Sequence, residues 1–147
     1  MTDLALQQHY RKLEHMYLAA PVNQLYNPTI DIQKGEATIV IPVSPDHFHS
    51  AGALHGSVYF KVLDDATFFA ANSLVPDVFV LTASFNLYIT RPVSQGQLLA
   101  KATVVNQTRR TLLVEGVAYD SSDHEVARGS GSFMLSTMPL TPEISYA

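Results

Sequence analysis

Cysteine is absent from the 147 residues, which excludes disulfides, zinc thiolate centres and thiol nucleophiles. Any chemistry has to use other groups. Charge is sparse as well: Lys, Arg, Asp and Glu make up 15% of the chain against 47% hydrophobic residues, the balance of a globular protein with a sizeable core. The net charge is −4 and the basic residues stand singly apart from Arg11-Lys12 and Arg109-Arg110. No basic stripe can therefore follow a nucleic-acid backbone. The strongest apolar run, Val58 to Leu74, is broken by Lys61, Asp64, Asp65 and Asn72, so it does not read as a membrane span. The first residues scatter Asp3, Arg11, Lys12 and Glu14 among apolar ones and lack the pattern of a secretory signal. The expectation is a single cytoplasmic domain over residues 1–147.

What is present reads as an ordered series of elements. Leu4, Leu6, Leu13, Met16, Tyr17 and Leu18 recur at helical spacing until Pro21, which predicts an N-terminal helix over about 3–19. A core of about 25–137 follows. From Leu25 to Val43 the pattern alternates around Lys34-Gly35 and predicts a hairpin, closed by Pro42 and Pro45; Ser44 to Gly52 reads as a loop. Leu54 to Ser73 carries apolar residues on every side and predicts a long buried helix. Four β-branched, alternating segments come next, Val78–Thr90, Gln97–Gln107, Thr111–Asp120 and Glu125–Leu135, divided by turn residues. The tail, with Pro139 and Pro142, reads as loose. Short links favour an antiparallel sheet, and a curved sheet wrapped around one helix satisfies this order, an α+β arrangement with an extra N-terminal helix.

Asp64-Asp65 is the anomaly, because an unpaired carboxylate in a dry core is costly or becomes protonated. Adjacent helical residues point about 100° apart, so the two need not share a role. Either one is functional, or both are structural and merely hydrogen-bonded. Ahead of the helix lies Gly52-Ala53-Leu54-His55-Gly56-Ser57. Free amides at a helix N-terminus suit an oxyanion on a carbonyl carbon, with Gly56 as the natural donor. The same residues also read as a plain helix start capped by Ser57 or His55.

His55-Gly56-Ser57, followed nine residues after the histidine by Asp64, resembles the HGG…D signature of the phenylacetate-pathway (PaaI-like) hotdog thioesterases of the 4-hydroxybenzoyl-CoA thioesterase superfamily. Thr82 to Pro92 is similar to that family's strand ending in Arg-Pro, and the small-residue strand from Arg128 to Phe133 continues the likeness. The resemblance implies a hotdog fold and hydrolysis of an acyl-CoA to free acid and CoA, with no cofactor. It implies Asp64 as general base or nucleophile, the Gly56 amide as oxyanion donor, Thr82 as a holder of the attacking water, and His55 as orienter of the loop or substrate. It also implies a site between two subunits, hence a homodimer, with a tetramer as a dimer of dimers. Ser57 replaces the second glycine of the signature, and His49 stands where the family commonly has Asn or Gln. An imidazole can donate or accept as an amide does, so His49 joins the candidate catalytic set. Ser57, Asp65, Phe68, Arg91, Arg109 and Arg110 are candidate substrate contacts, the arginines for CoA phosphates. Phe60, Phe69, Tyr59 and Phe85 are further candidates for an acyl pocket or for core.

Other readings of particular residues compete with this one. His47, His49 and His55 are also candidate metal ligands, but a loop His-x-His pair without a clear third and fourth ligand is more often a solvated turn. Pro45-Asp46-His47-Phe48 faintly resembles the His-Phe motif of hydroxyacyl-thioester dehydratases, but Lys61 stands where their acid would be. A non-catalytic acyl-CoA or lipid-binding protein stays open because of His49 and Ser57. Gly129-Ser130-Gly131-Ser132 lacks the strand-to-helix setting of a nucleophile elbow and reads as a close-packed strand.

Overall fold

Thr2 opens the first helix, its hydroxyl accepting the Ala5 amide at 3.1 Å. Helix α1 spans Asp3–Ala19; Ala20 is extended because Pro21 follows it, and a 3-10 turn occupies Pro21–Leu25. The structure, a computed structural model, describes every residue from Met1 to Ala147. Strands β1 (Thr29–Gln33) and β2 (Glu36–Pro42) form the expected hairpin, with Gly35 at φ +70° in its turn. The extended stretch begins at Thr29 rather than Leu25, because the 3-10 turn, Asn27 at φ +49° and Pro28 intervene.

Helix α2 covers Gly56–Ser73, and strands β3 (Val78–Ile89), β4 (Gln97–Gln107), β5 (Thr111–Tyr119) and β6 (Glu125–Pro139) follow. All pairings are antiparallel, in the order β1-β2-β4-β5-β6-β3. The sheet wraps α2, which touches every one of its strands. This is the hotdog arrangement. Ile39, Ile41, Leu98, Leu112, Val114 and Phe133 from the sheet and Val58, Val62, Leu63 and Ala66 from α2 are all but inaccessible. Each of these side chains larger than alanine contributes about 1.5–3 kcal/mol of burial. The helix is not buried all round, however. Phe60 is 42% exposed, and Asp64 and Phe68, one and two turns further on, are half-buried. One stripe of α2 is left open.

Two devices set β3 against its neighbours, α2 and β6. Buried Asn72 donates to the Val75 and Val78 carbonyls at 3.0 and 3.1 Å and accepts the Val80 amide at 3.1 Å. The Phe85 ring lies over β6, where a Cβ on Gly129 or Gly131 would come within 2.8 or 2.9 Å of it. That close approach accounts for the small residues of β6 without any catalytic role.

The tail is docked, not loose. Pro142–Ile144 form a 3-10 turn, and Ile144 and Tyr146 pack against the core. The Tyr146 hydroxyl lies 2.7 Å from His9 Nδ1, and His9 Nε2 donates to the Asn72 carbonyl at 2.9 Å. Burial holds the His9 pKa below its ordinary value, which suits a neutral ring with Nδ1 accepting from Tyr146. Two prolines in the composition point to looseness; one tyrosine with a buried acceptor outweighs them.

Candidate active site

Two separate cavities lie along α2. The first, about 310 Å³, has apolar walls that include Phe68, Phe69, Phe79 and Leu81, and Asp64, Asp65 and Thr82 line it too. Lys61 from α2 lines it as well, and Met16, Tyr17, Ala20, Val22 and Asn23, from α1 and the turn after it, complete the lining. Thr82 Oγ1 donates to Asp64 Oδ1 at 3.0 Å, which leaves Oδ2 without a partner in the chain. Burial pushes the Asp64 pKa up; the Thr82 hydrogen bond opposes this, Asp65 adds to it and Lys61 opposes it. A partly desolvated carboxylate with one oxygen anchored and one open is suited to accept a proton or to attack.

Asp65 turns the other way. Its Oδ2 accepts the Tyr17 hydroxyl at 2.9 Å and the Lys61 ammonium. Lys61 also donates to Asn23 Oδ1 at 2.5 Å, and Asn23 Nδ2 donates to the Tyr17 carbonyl at 2.7 Å. Burial raises the Asp65 pKa, with Lys61 and Tyr17 pulling it back; burial and the neighbouring carboxylate raise that of Tyr17. The adjacent carboxylates thus have different surroundings, as their helical angle predicts.

The second cavity, about 360 Å³, lies at the N-terminus of α2 and is lined by His49, Leu54, Gly56, Tyr59, Ile89, Thr90, Arg91 and Pro92. Gly56 is the first residue of the helix and His55 caps it. His55 Nδ1 accepts the Ser57 amide at 3.0 Å and lies 2.8 Å from the Ser57 hydroxyl, and the Val58 amide bonds the His55 carbonyl. No acceptor in the chain takes the Gly56 amide, so it stays a free donor at the positive end of the helix. His49 Nδ1 accepts the Ala51 amide at 3.1 Å, which assigns the ring proton of the neutral form to Nε2. His49 can therefore donate toward the cavity it lines, as an amide would.

Of the residues singled out in the sequence, Asp64, Asp65, Thr82 and Phe68 come together around one cavity and Gly56, His49 and Arg91 around the other. His55 and Ser57 act on each other as a cap. Arg109 and Arg110 sit exposed in the turn between β4 and β5 and line neither cavity. Phe69 lines the first cavity and Tyr59 the second, whereas Phe60 and Phe85 pack edge to face at 5.3 Å. His47 stacks on Tyr26 at 4.6 Å. Unforeseen were the α1 contributions to the first cavity and the position of Lys61. The spacing of Lys61 to Asp65, i to i+4 on a helix, was the available signal for the latter.

A sequence profile described as the thioesterase superfamily matches residues 51–127. A curated protein of Saccharolobus solfataricus, provisionally described as an esterase, is 23% identical over 104 residues, covering 71% of this chain and 69% of its own. Among solved structures, the Escherichia coli PaaI protein of the phenylacetic acid degradation operon superposes with a TM-score of 0.85 at 19% identity, covering 93% of this chain and 99% of its own. A thioesterase family protein of Silicibacter pomeroyi gives 0.79 at 25% identity, covering 88% and 96%. A mutant of the phenylacetic acid degradation protein PaaI from Thermus thermophilus gives 0.72 at 25%, covering 80% and 100%.

Proposed function

The chain belongs to the thioesterase superfamily, and from that premise we propose that it is a homodimeric acyl-CoA thioesterase in which Asp64 of one subunit works with the Gly56 amide of the other. Thioester hydrolysis is the activity of the superfamily; the acyl-CoA substrate, the residues and the assembly are the proposal. The observation that carries it is the open Oδ2 of Asp64, half-buried beside an apolar cavity while Thr82 anchors Oδ1.

Asp64 and Gly56 lie eight residues apart on one helix, about 12 Å along its axis at ~1.5 Å per residue. One thioester carbon cannot touch both. The cavities around them share no lining residue, which supports reading them as two half-sites. The sheet supplies a means of joining halves. β3 is an edge strand of 12 residues with Tyr88 67%, Leu81 50% and Ile89 46% exposed, and such an edge is a template for pairing. Antiparallel pairing of β3 with its own copy runs the Thr82 end of one strand toward the Ile89 end of the other, and so one kind of half-site toward the other.

In that site the acyl group occupies the cavity beside Asp64. Asp64 Oδ2 takes a proton from water as the water oxygen attacks the thioester carbon, and the partner's Gly56 amide with its helix dipole meets the oxyanion. Collapse breaks the carbon–sulfur bond, and the proton passes from Asp64 to the departing thiolate. Direct attack by the carboxylate requires the same ionised oxygen. Arg91 and His49 line the half-site at the helix N-terminus, where they are suited to the CoA side of the substrate.

Thiol release by the wild type and by Asp64→Asn, against short, medium, long and aromatic acyl-CoAs, tests this. The wild type is expected to turn over at least one class and the folded variant to lose at least about a hundredfold in kcat. Full activity in the variant, or tight acyl-CoA binding by the wild type with no thiol released, contradicts the proposal.

A further inference from the structure

On a helix, Lys61 faces two carboxylates at once: Asp64 at i+3 and Asp65 at i+4, both spacings at which an ion pair forms. The ammonium takes only Asp65. Its other contacts come from the N-terminal segment. Asn23 Oδ1 accepts a second hydrogen bond from it at 2.5 Å, and the rings of Tyr17 and Tyr26 lie 5.5 Å from Nζ. The Tyr17 hydroxyl binds the same Asp65 oxygen that Lys61 binds, so the carboxylate is fixed before the lysine is counted. Nothing in this arrangement touches Asp64.

We propose that Asp65, with Tyr17 and Asn23, is a positioning device that holds the Lys61 ammonium away from Asp64 and so keeps the neighbouring carboxylate free as a base. The inference rests on the reading of Asp64 as the hydrolytic carboxylate. Its physical basis is that the pair is nearly buried, with the Lys61 and Asp65 side chains 18% and 16% exposed, and a charge so placed cannot stay unpaired. If Asp65 is neutralised, Lys61 has one other carboxylate within helical reach. Swinging to Asp64 would engage the open Oδ2, the atom the reaction needs. The titratable groups facing Asp64 within the cavity are Tyr17 from α1 and Lys61 and Asp65 from α2; β3 brings only Phe79, Leu81 and Thr82. No other charge in the cavity can substitute for Asp65.

Asp65→Asn tests this, alone and combined with Lys61→Met. In the single variant the acid limb of the kcat/KM profile moves at least about one pH unit lower, as the Asp65 charge that raises the Asp64 pKa is lost and a cation moves in beside the carboxylate; the fall of the plateau reports the second of these. Its plateau falls about tenfold as a weaker, occupied base does the work. Adding Lys61→Met returns the limb to the wild-type position or above and restores most of the plateau. A merely structural role for Asp65 predicts no rescue, because deleting the lysine removes a further contact. Carbon-13 NMR titration of the Asp64 carboxyl reads the same shift without turnover, so sequestration is tested even where hydrolysis is absent. Where Asp65→Asn does not fold, Asn23→Ala loosens the other anchor and moves the titration in the same direction by less. An unmoved Asp64 titration in a folded variant, or a plateau that Lys61→Met fails to raise, overturns the inference and leaves the role of Asp64 intact. Undiminished activity in Asp64→Asn overturns the role of Asp64 and leaves the titration result standing.

Discussion

Asp64 carries a cost for the fold. Burial raises its pKa above the unfolded value, so the folded protein binds this proton more tightly than the unfolded chain does. The penalty is full at neutral pH, is relieved as the pH falls through the raised pKa, and is gone below the unfolded pKa. Asp64→Asn is therefore expected to be more stable than the wild type in chemical denaturation at pH 7, with the gap closing in acid. Equal stability at both pH values contradicts the assigned burial. Burial raises the Asp65 pKa as well; what separates the two is the partner, because Asp65 is held by Lys61 and Tyr17 and its loss strands the largely buried Lys61 ammonium. Activity and stability thus pull in opposite directions at residue 64, as is common where a site stores an unfavourable group.

Among the elements, α1 does more than cover the sheet. At β1, the other edge strand, Arg11 donates to the Ile32 carbonyl at 2.8 Å and Glu14 Oε2 accepts the Ile32 amide at 2.8 Å. These two side chains blunt the β1 edge. On β3 the Asn72 side chain takes the Val78 carbonyl and the Val80 amide, but no side chain caps the backbone from Leu81 to Ile89, and this asymmetry favours β3 as the edge for the proposed self-pairing. Glu14→Ala should cost about 1–3 kcal/mol by leaving the Ile32 amide without its acceptor. Thermal or chemical unfolding measures it, and an unchanged midpoint argues against this role for α1. The periodicity of α1 showed that it has an apolar face, but not what that face covers, since Met16, Tyr17 and Asn23 meet the α2 cavity only through the tertiary fold. The helices and strands themselves were legible because period and breakers coincide. Pro21 stops α1, Lys34-Gly35 turns the hairpin, and the alternating segments match β3 to β6 within a few residues. Asp64 was legible for the opposite reason, as a charge where the pattern demands an apolar residue. The docked tail was not, because two prolines signal irregularity and not detachment.

At the scale of the whole molecule, the proposed half-sites would need each other. The apolar stripe of α2, the uncovered β3 edge and the two separate cavities all lie on parts of the protomer that a second copy would complete. No helix is long and apolar enough to cross a membrane. The apolar residues exposed on β3 suit the interface of the proposed dimer. The most direct test is complementation between two inactive variants. Gly56→Pro deletes the proposed oxyanion amide at the first helical position, where proline is tolerated, and His55 before it is already extended. Alone it should lose about 10²–10³ in kcat, and Asp64→Asn should be inactive as well. Refolded together in equal amounts, the two are expected to recover about a quarter of wild-type activity, because half the dimers are mixed and each mixed dimer of two-fold symmetry has one intact site. Activity no higher than that of the separate variants would mean that Asp64 and Gly56 do not act across a subunit boundary, and would contradict the account.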